Sequence, residues 1–269
     1  MKLQVLVAAL NQDVKKLPEK MNLKSDAIIV NQTDHFAYEE IEKEIRAESS
    51  QVKNKTYKIK CFSFNERGVG LSRNTALLRA DGDICLFSDE DIVYEEDYEK
   101  KILDAFEKYP QADMLLFNIK VAASRATYHI ERFHRVHVWN SGKFPLVSFA
   151  AKTKKLHQKN ITFSLLFGGG APYSNGEDSL FLMECLQKGL KVFAVPENLG
   201  SETERESTWF SGYHEKFFID KGVLFHYLYG KLAIVMAIRF VFVHGHRICQ
   251  KISRIEAIRL MNQGIKSQK

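Results

Sequence analysis

Short apolar runs separated by polar and turn-forming residues dominate the first 120 positions. The runs at 5–10, 26–30, 57–62, 84–87 and 114–117 predict buried strands. The stretches 38–47, 69–80 and 95–109 between them predict helices; the first carries acids early and Arg46 late, as the helix dipole prefers, and Pro110 stops the last. Strands alternating with helices predict an α/β fold, a mostly parallel sheet covered on both faces. After Lys120 the rhythm breaks. Residues 121–160 mix aromatic, His and basic positions without a clear period and predict irregular chain with strands of unassigned register. Gly168-Gly169-Gly170 predicts a flexible loop. Residues 177–188 predict a helix closed by Gly189, and 191–195 a strand stopped by Pro196.

The C-terminal pattern differs. Residues 223–243 are mostly apolar, but Lys231 and Arg239 interrupt them and Gly230 adjoins Lys231. A central Lys costs about 2.5–3.5 kcal/mol on membrane-insertion scales, which favours an interfacial or core-packed helix over a span. In 248–260 apolar residues alternate with Arg and Lys, the pattern of a helix lying on an anionic membrane. From Lys231 onward eight basic residues face Glu256 alone, so this tail accounts for the whole net charge of +6 and the body is nearly neutral. That distribution argues against a nucleic-acid groove and points to phospholipid met by the C-terminus. The 269 residues, 45% apolar and 27% charged, suit one large α/β domain or two small ones. Four separated cysteines without a CxxC pair fit a reducing compartment and exclude a disulfide framework. The first residues lack a signal-peptide cleavage site and read as a strand. Repeats and low-complexity segments are absent.

Four clusters carry candidate chemistry. The strand at 84–87 ends in Asp89-Glu90-Asp91, and acids crowded at a strand's carboxyl end need a cation or basic partner. Alternate residues point the same way, so Asp89 and Asp91 suit one hard cation, Mg²⁺ or Mn²⁺; an ordinary solvated acidic turn is the alternative. Arg73 follows Gly68 and Gly70 on a helix whose first amides suit an anion. It falls beside the apolar face and needs an acceptor, either a diphosphate or a carboxylate such as Asp89 or Asp91. Glu177 and Asp178 open a helix, where the dipole alone accounts for acids and where one of them also suits a general base. Asn31 to Asp34 follow the second strand directly, placed to read a nucleoside or to cap a following helix. The histidines show no zinc spacing, and His244 and His246 read as surface.

In order, Arg73-Asn74, Ala80-Asp81-Gly82-Asp83, Phe87 to Asp91 and Gly176-Glu177-Asp178 resemble family 2 glycosyltransferases over about residues 3–220. The resemblance implies a GT-A, Rossmann-like fold, a nucleoside diphosphate-sugar donor, Mn²⁺ or Mg²⁺, and inversion at the anomeric carbon. It implies metal and diphosphate binding at Asp89 and Asp91, with Glu90 beside them, and donor contacts from Asn11, Asn31, Asp34 and Arg73. Asp178 maps to the base, with Glu177 as fallback. Ile92 stands where the family often has another Asp. Glu206 to Phe210 occupy the region of a metal-binding His, with His214 just beyond. The expectation is a donor-binding half (1–120), an acceptor half (121–220) and a helical membrane-associating extension (221–269). It places the protein on the cytoplasmic face of the cell membrane, acting on a saccharide or lipid-linked saccharide in surface polysaccharide assembly. Two alternatives stay open: a non-catalytic sugar-nucleotide-binding protein, and a nucleotidyltransferase, disfavoured because Ala8 to Gln12 offer no Gly-rich basic loop.

Overall fold

The computed structural model describes residues 1–45, 55–121, 128–203 and 212–268. In chain order the elements are β1 (Leu3–Leu10), α1 (Leu17–Lys20), β2 (Asp26–Gln32), β3 (Ala37–Ile45), β4 (Lys55–Phe64), α2 (Val69–Arg79), β5 (Ile84–Asp89), β6 (Ile92–Tyr94) and α3 (Tyr98–Lys108). There follow β7 (Met114–Lys120), β8 (His134–Arg135), β9 (Phe149–Lys152), α4 (Thr153–Gln158), α5 (Glu177–Gln187), β10 (Val192–Glu202), α6 (Glu215–Tyr229), α7 (Ala233–Ile248) and α8 (Arg254–Lys266).

Nine strands lie side by side in the order β3-β4-β2-β1-β5-β9-β7-β10-β6, and β8 pairs with β10. Strands β4, β2, β1 and β5 pair in parallel, as do β7 and β10; β3, β6, β8 and β9 run against them. The mostly parallel α/β sheet is therefore present. Residue alternation builds its two faces. Val5, Val7, Ile29, Ile84 and Leu86 pack toward α3, with Ile102 and Phe106. Leu6, Ile28, Val30, Cys85 and Phe87 pack toward α2 and α5, with Leu77 and Phe181. Near-continuous apolar runs are what a sheet buried on both sides requires.

Three sequence expectations are corrected. Residues 37–45 form an edge strand, not a helix; Arg46 and Ala47 lie outside the described residues. Alternation sets Tyr38, Glu40 and Glu42 opposite Phe62, Lys60 and Lys58 of β4. Glu42 and Lys58 pair at 2.8 Å, and the Tyr38 and Phe62 rings lie 4.8 Å apart. These cross-strand pairs outweigh the dipole-favoured charge order. Strand β10 runs through Pro196 because the ladder shifts register between Ala194 and Asn198, so no amide is needed there. Helix α3 starts at Tyr98, because Glu95 still donates its amide to Leu199 at 2.8 Å. The irregular region after Lys120 does contain short strands and α4.

The C-terminal helices share a third apolar cluster that includes Phe218, Leu224, Ala237, Val241, Leu260 and Met261. The helical stretch Glu215–Ile248 is long and apolar enough to cross a membrane by length and composition, but Gly230, with φ +51°, interrupts it. The expected boundary at 220/221 falls inside α6, and the helical unit starts at Glu215. The amphipathic helix expected at 248–260 is also displaced. Ile248 ends α7, and α8 buries Ala257, Leu260, Met261 and Ile265 in the protein, leaving Ile255 exposed. Helices α6 and α8 touch backbone to backbone. A Cβ on Gly222 would lie 2.0 Å from the Met261 carbonyl oxygen, and one on Gly264 would lie 2.1 Å from that of Ile219. Helix propensity favours Gly222→Ala by about 1 kcal/mol, but overpacking costs about 1–3 kcal/mol and the carbonyl cannot move alone. Gly222→Ala is expected to lower the urea midpoint, whereas Gly142→Ala, where no atom lies within 4 Å, leaves it near the native value.

Candidate active site

Three elements meet at the carboxyl edge of the parallel block. Strand β5 ends at Asp89, α2 carries Arg73 in its second turn, and α5 begins with Glu177 and Asp178. Arg73 is only 4% exposed. Its Nη2 donates to Asp89 Oδ1 at 2.7 Å and its Nη1 to Glu177 Oε1 at 2.8 Å. Burial alone would lower the guanidinium's pKa, but Asp89 and then Glu177 hold it above its ordinary value. The Phe163 ring lies 5.7 Å from the guanidinium carbon. The acceptor that the sequence required for Arg73 is thus a pair of carboxylates.

The loop before α5 approaches closely because Gly168 has no side chain. Its φ is +102°, and a Cβ there would lie 2.8 Å from the Glu177 carboxyl carbon and 2.6 Å from Val69 Cγ1. Glu177 Oε2 also accepts the Gly176 amide at 3.1 Å, so both of its oxygens are engaged. Asp178 differs. Among the described residues only its Oδ1 is engaged, by the Ser179 amide at 2.7 Å and more weakly by the Ser179 hydroxyl. Burial, and next the Glu177 charge, push its carboxyl up to about 6, against opposing pulls from the Ser179 amide, Arg73 and Lys221.

Two cavities flank the Arg73 bridge. The smaller, about 130 Å³, is lined by Ala8 to Leu10, Gln32, Asp89, Glu90 and Glu177 among others. The larger, about 310 Å³, includes Asp89, Asn118, Tyr128, Glu177, Asp178 and Glu202. Arg73 lines both.

The expected donor residues divide. Arg73, Asp89, Glu90, Glu177 and Asp178 converge on these cavities. Asp91 is 8% exposed and lines neither; its backbone carbonyl accepts from Thr203. Asn31 is buried, with its amide group exchanging hydrogen bonds with the Gln12 backbone at 2.8 and 3.1 Å, so it braces a loop. Asn11 turns that loop at φ +51° and donates its amide to Gln32. The Asp34 side chain is 94% exposed against His35, and no helix follows for it to cap. Of positions 31–34, Gln32 is the one that lines the smaller cavity; Asn31, its neighbour on β2, faces the opposite side, and Asp34 lies beyond the end of the strand. The N-terminus of α2 is less open than expected, because Gln32 Oε1 takes the Gly68 amide and the Gly169 carbonyl takes that of Val69. Asn118, Tyr128 and Glu202 carry no sequence motif; only the fold brings them to the cavity. Glu206 to Phe210 lie outside the described residues, and His214 caps α6.

Among the described residues no group of three or more His, Cys, Asp or Glu side chains is arranged to hold a metal ion. Asp89 nonetheless gives Arg73 one oxygen and keeps Oδ2 for another partner. A carboxylate of this kind fits Mg²⁺ or Mn²⁺, which take remaining ligands from water and substrate phosphates.

A model of the family described as glycosyl transferase family 2 matches residues 8–175. Among solved structures the chain is similar to S. aureus TarS 1–349 in complex with UDP-GlcNAc, with a TM-score of 0.65 and 16% identity over 98% of this chain and 82% of that one. It is also similar to TarS 1–349 in complex with UDP, at a TM-score of 0.61 and 15% identity over 100% and 82% of the two chains. Against a longer TarS chain the match spans 49% of that protein. No curated protein sequence matches. At these identities the structural likeness is one of fold, and the fold is GT-A.

Removing Arg73 leaves two carboxylates facing each other around an empty volume. Arg73→Met is expected to cost about 3 kcal/mol in urea unfolding, the low end for a broken buried pair because Asp89 is partly solvated. Arg73→Lys is expected to cost less but not nothing, since one ammonium cannot reproduce the two-armed contact.

Proposed function

The chain belongs to glycosyl transferase family 2, and from that premise we propose that it moves a sugar from a nucleoside diphosphate donor to an acceptor hydroxyl with inversion. The smaller cavity, at the ends of β1, β2 and β5, takes the nucleoside diphosphate, and the larger takes the sugar and acceptor. Such TarS complexes carry UDP-GlcNAc and UDP, which makes uridine nucleotides the first donors to try. Asp89 is the residue that would hold Mn²⁺ or Mg²⁺, with Glu90 beside it on the smaller cavity; the expected partner Asp91 lines neither cavity. When bound, the cation offsets charge on the leaving diphosphate.

One observation carries the choice of base. Glu177 has both oxygens committed, whereas Asp178 lines the larger cavity, its Oδ2 has no hydrogen-bond partner among the described residues, and burial raises its carboxyl to about 6. Asp178 takes the proton from the acceptor hydroxyl as that oxygen bonds to the anomeric carbon and the diphosphate departs with the bonding electrons. Arg73 holds Glu177 and Asp89 in register and fixes the helix start that presents Asp178.

The proposed acceptor is a saccharide or lipid-linked saccharide of surface polysaccharide assembly, met at the cytoplasmic face of a membrane. Support for the membrane comes from the basic C-terminus and from α7, whose outward face leaves Val235, Phe242 and Val243 at 58%, 65% and 49% exposure. The apolar face of α8 is already used inside the protein, so α7 is the better candidate for the surface contact.

Two measurements bear on this reading. Asp178→Asn is expected to abolish transfer while UDP with Mn²⁺ still raises the melting temperature, and native turnover is expected to rise about tenfold per pH unit up to roughly pH 6 and then level. Near-normal transfer by the variant, or a flat acid limb, would sink the base assignment. Separately, Val235→Asp with Phe242→Asp is expected to reduce co-sedimentation with phosphatidylglycerol vesicles at an unchanged melting temperature; undiminished binding removes α7 from the membrane contact.

A further inference from the structure

A third cavity, about 500 Å³, lies between the turn at Val138–Lys143, the start of α5 and helices α6 and α7. It adjoins the larger of the two cavities already described. Lys143 lines the third cavity and Phe144 the larger one; on the opposite wall, Ser179 lines the third and Asp178 the larger. Two pairs of consecutive residues thus form a partition between them, and the proposed base stands on it.

The third cavity is charged with one sign only. Lys143, Lys221 and Arg239 line it beside the imidazole of His244, whose pKa burial and then the neighbouring cations hold below the ordinary histidine value, and no Asp or Glu does. Among the described residues neither Lys221 nor Arg239 has a carboxylate within ion-pair distance; Lys221 lies 5.7 Å from the Phe240 ring centre. A half-buried ammonium whose nearest carboxylates, Asp178 and Glu177, lie beyond contact distance is costly unless a ligand supplies a closer charge. Burial holds Lys221 below the usual lysine value, opposed by Asp178 and Glu177. At the mouth Trp139 is 82% exposed and stacks on His137 at 4.5 Å. An exposed indole beside cations suits a sugar ring attached to an anion.

We propose that this cavity binds a phosphoryl group of the acceptor through Lys221, Arg239 and Lys143, with Trp139 against the adjoining sugar, so that the acceptor hydroxyl reaches Asp178 across the partition. The site deepens the transferase reading and rests on it for the word acceptor. A phosphodiester within a polymer and a phosphate joining a sugar to a lipid present the same chemistry. The acceptor is then anionic, and the reaction that supplies it is a phosphoryl-group transfer.

The test uses the full chain with Trp209→Phe, which leaves Trp139 as the single indole reporter. One arm titrates glycerophosphoglycerol in solution; the other titrates a polyprenyl phosphate in phosphatidylcholine vesicles. Saturable fluorescence change is expected in at least one arm, and the arm that responds names the source. Arg239→Gln is expected to raise the apparent Kd about tenfold, the loss of a charge-assisted contact. Lys221→Gln provides a second variant with the same expected direction. Binding in neither arm, or binding that these substitutions leave unchanged, overturns the proposal. UDP stabilisation is read on the same samples, so a failure of nucleotide binding, which bears on the donor site, is separated from a failure of phosphoryl binding.

Discussion

Arg73 is a cation held almost out of water, and the two acids that neutralise it stand 16 and 104 residues away. A buried guanidinium is tolerable only when both arms are met, so the position of α5 relative to β5 is fixed by charge as well as by packing. Its Nε finds no acceptor among the described residues, a further desolvation cost of about 1–3 kcal/mol. An apolar side chain of similar volume, with partners to match, would not carry that cost. The arrangement therefore makes more sense as registration of two chain segments than as stabilisation. It places Asp89, with one oxygen unengaged among the described residues, and Asp178, with its raised carboxyl, on the same larger cavity beside a single bridge.

Glu177 and Asp178 show how a fold separates the duties of neighbouring acids. They share a helix start where the dipole favours both. Arg73 and the Gly176 amide consume Glu177, and its fixed negative charge then discourages ionisation of Asp178. Gly168 is part of the same device. A side chain there would push the loop off Glu177 and Val69, and the bridge would open.

Much of this was legible in the chain. Buried strands announce themselves as apolar runs; Asp89 and Arg73 stand out because a charge beside an apolar run demands a partner, and Asp178 as an acid at a helix start that the family resemblance maps to the base. The edge strand at 37–45 was not legible, because its stabilising partners, Lys58, Lys60 and Phe62, lie on another strand and its own charge order mimics a helix. Asn31 against Gln32 was a matter of parity, which a strand's boundaries alone do not fix. Asn118, Tyr128 and Glu202 reach the cavity through tertiary placement without a local signal. The same holds for Lys221 and Arg239, which in sequence look like interruptions of an apolar stretch.

Those interruptions change how the C-terminal helices are understood. Lys231 and Arg239 weaken a simple membrane span, yet the stretch keeps enough exposed apolar surface on α7 to remain unlike an ordinary soluble helix. Both features follow if α6 and α7 have two faces with different work. The inward face completes the hydrophobic cluster through backbone contact at Gly222 and Gly264, which leaves no room for α8 to offer its apolar residues elsewhere. Lys221 and Arg239 then line the wall nearest α5, and Val235, Phe242 and Val243 remain outside. A helix pair so divided sets the approach to Asp178 between a cationic cavity and an apolar surface. The basic residues are thereby placed by the packing of α6 on α8, and the position of the third cavity depends on two glycines as much as on any charged side chain.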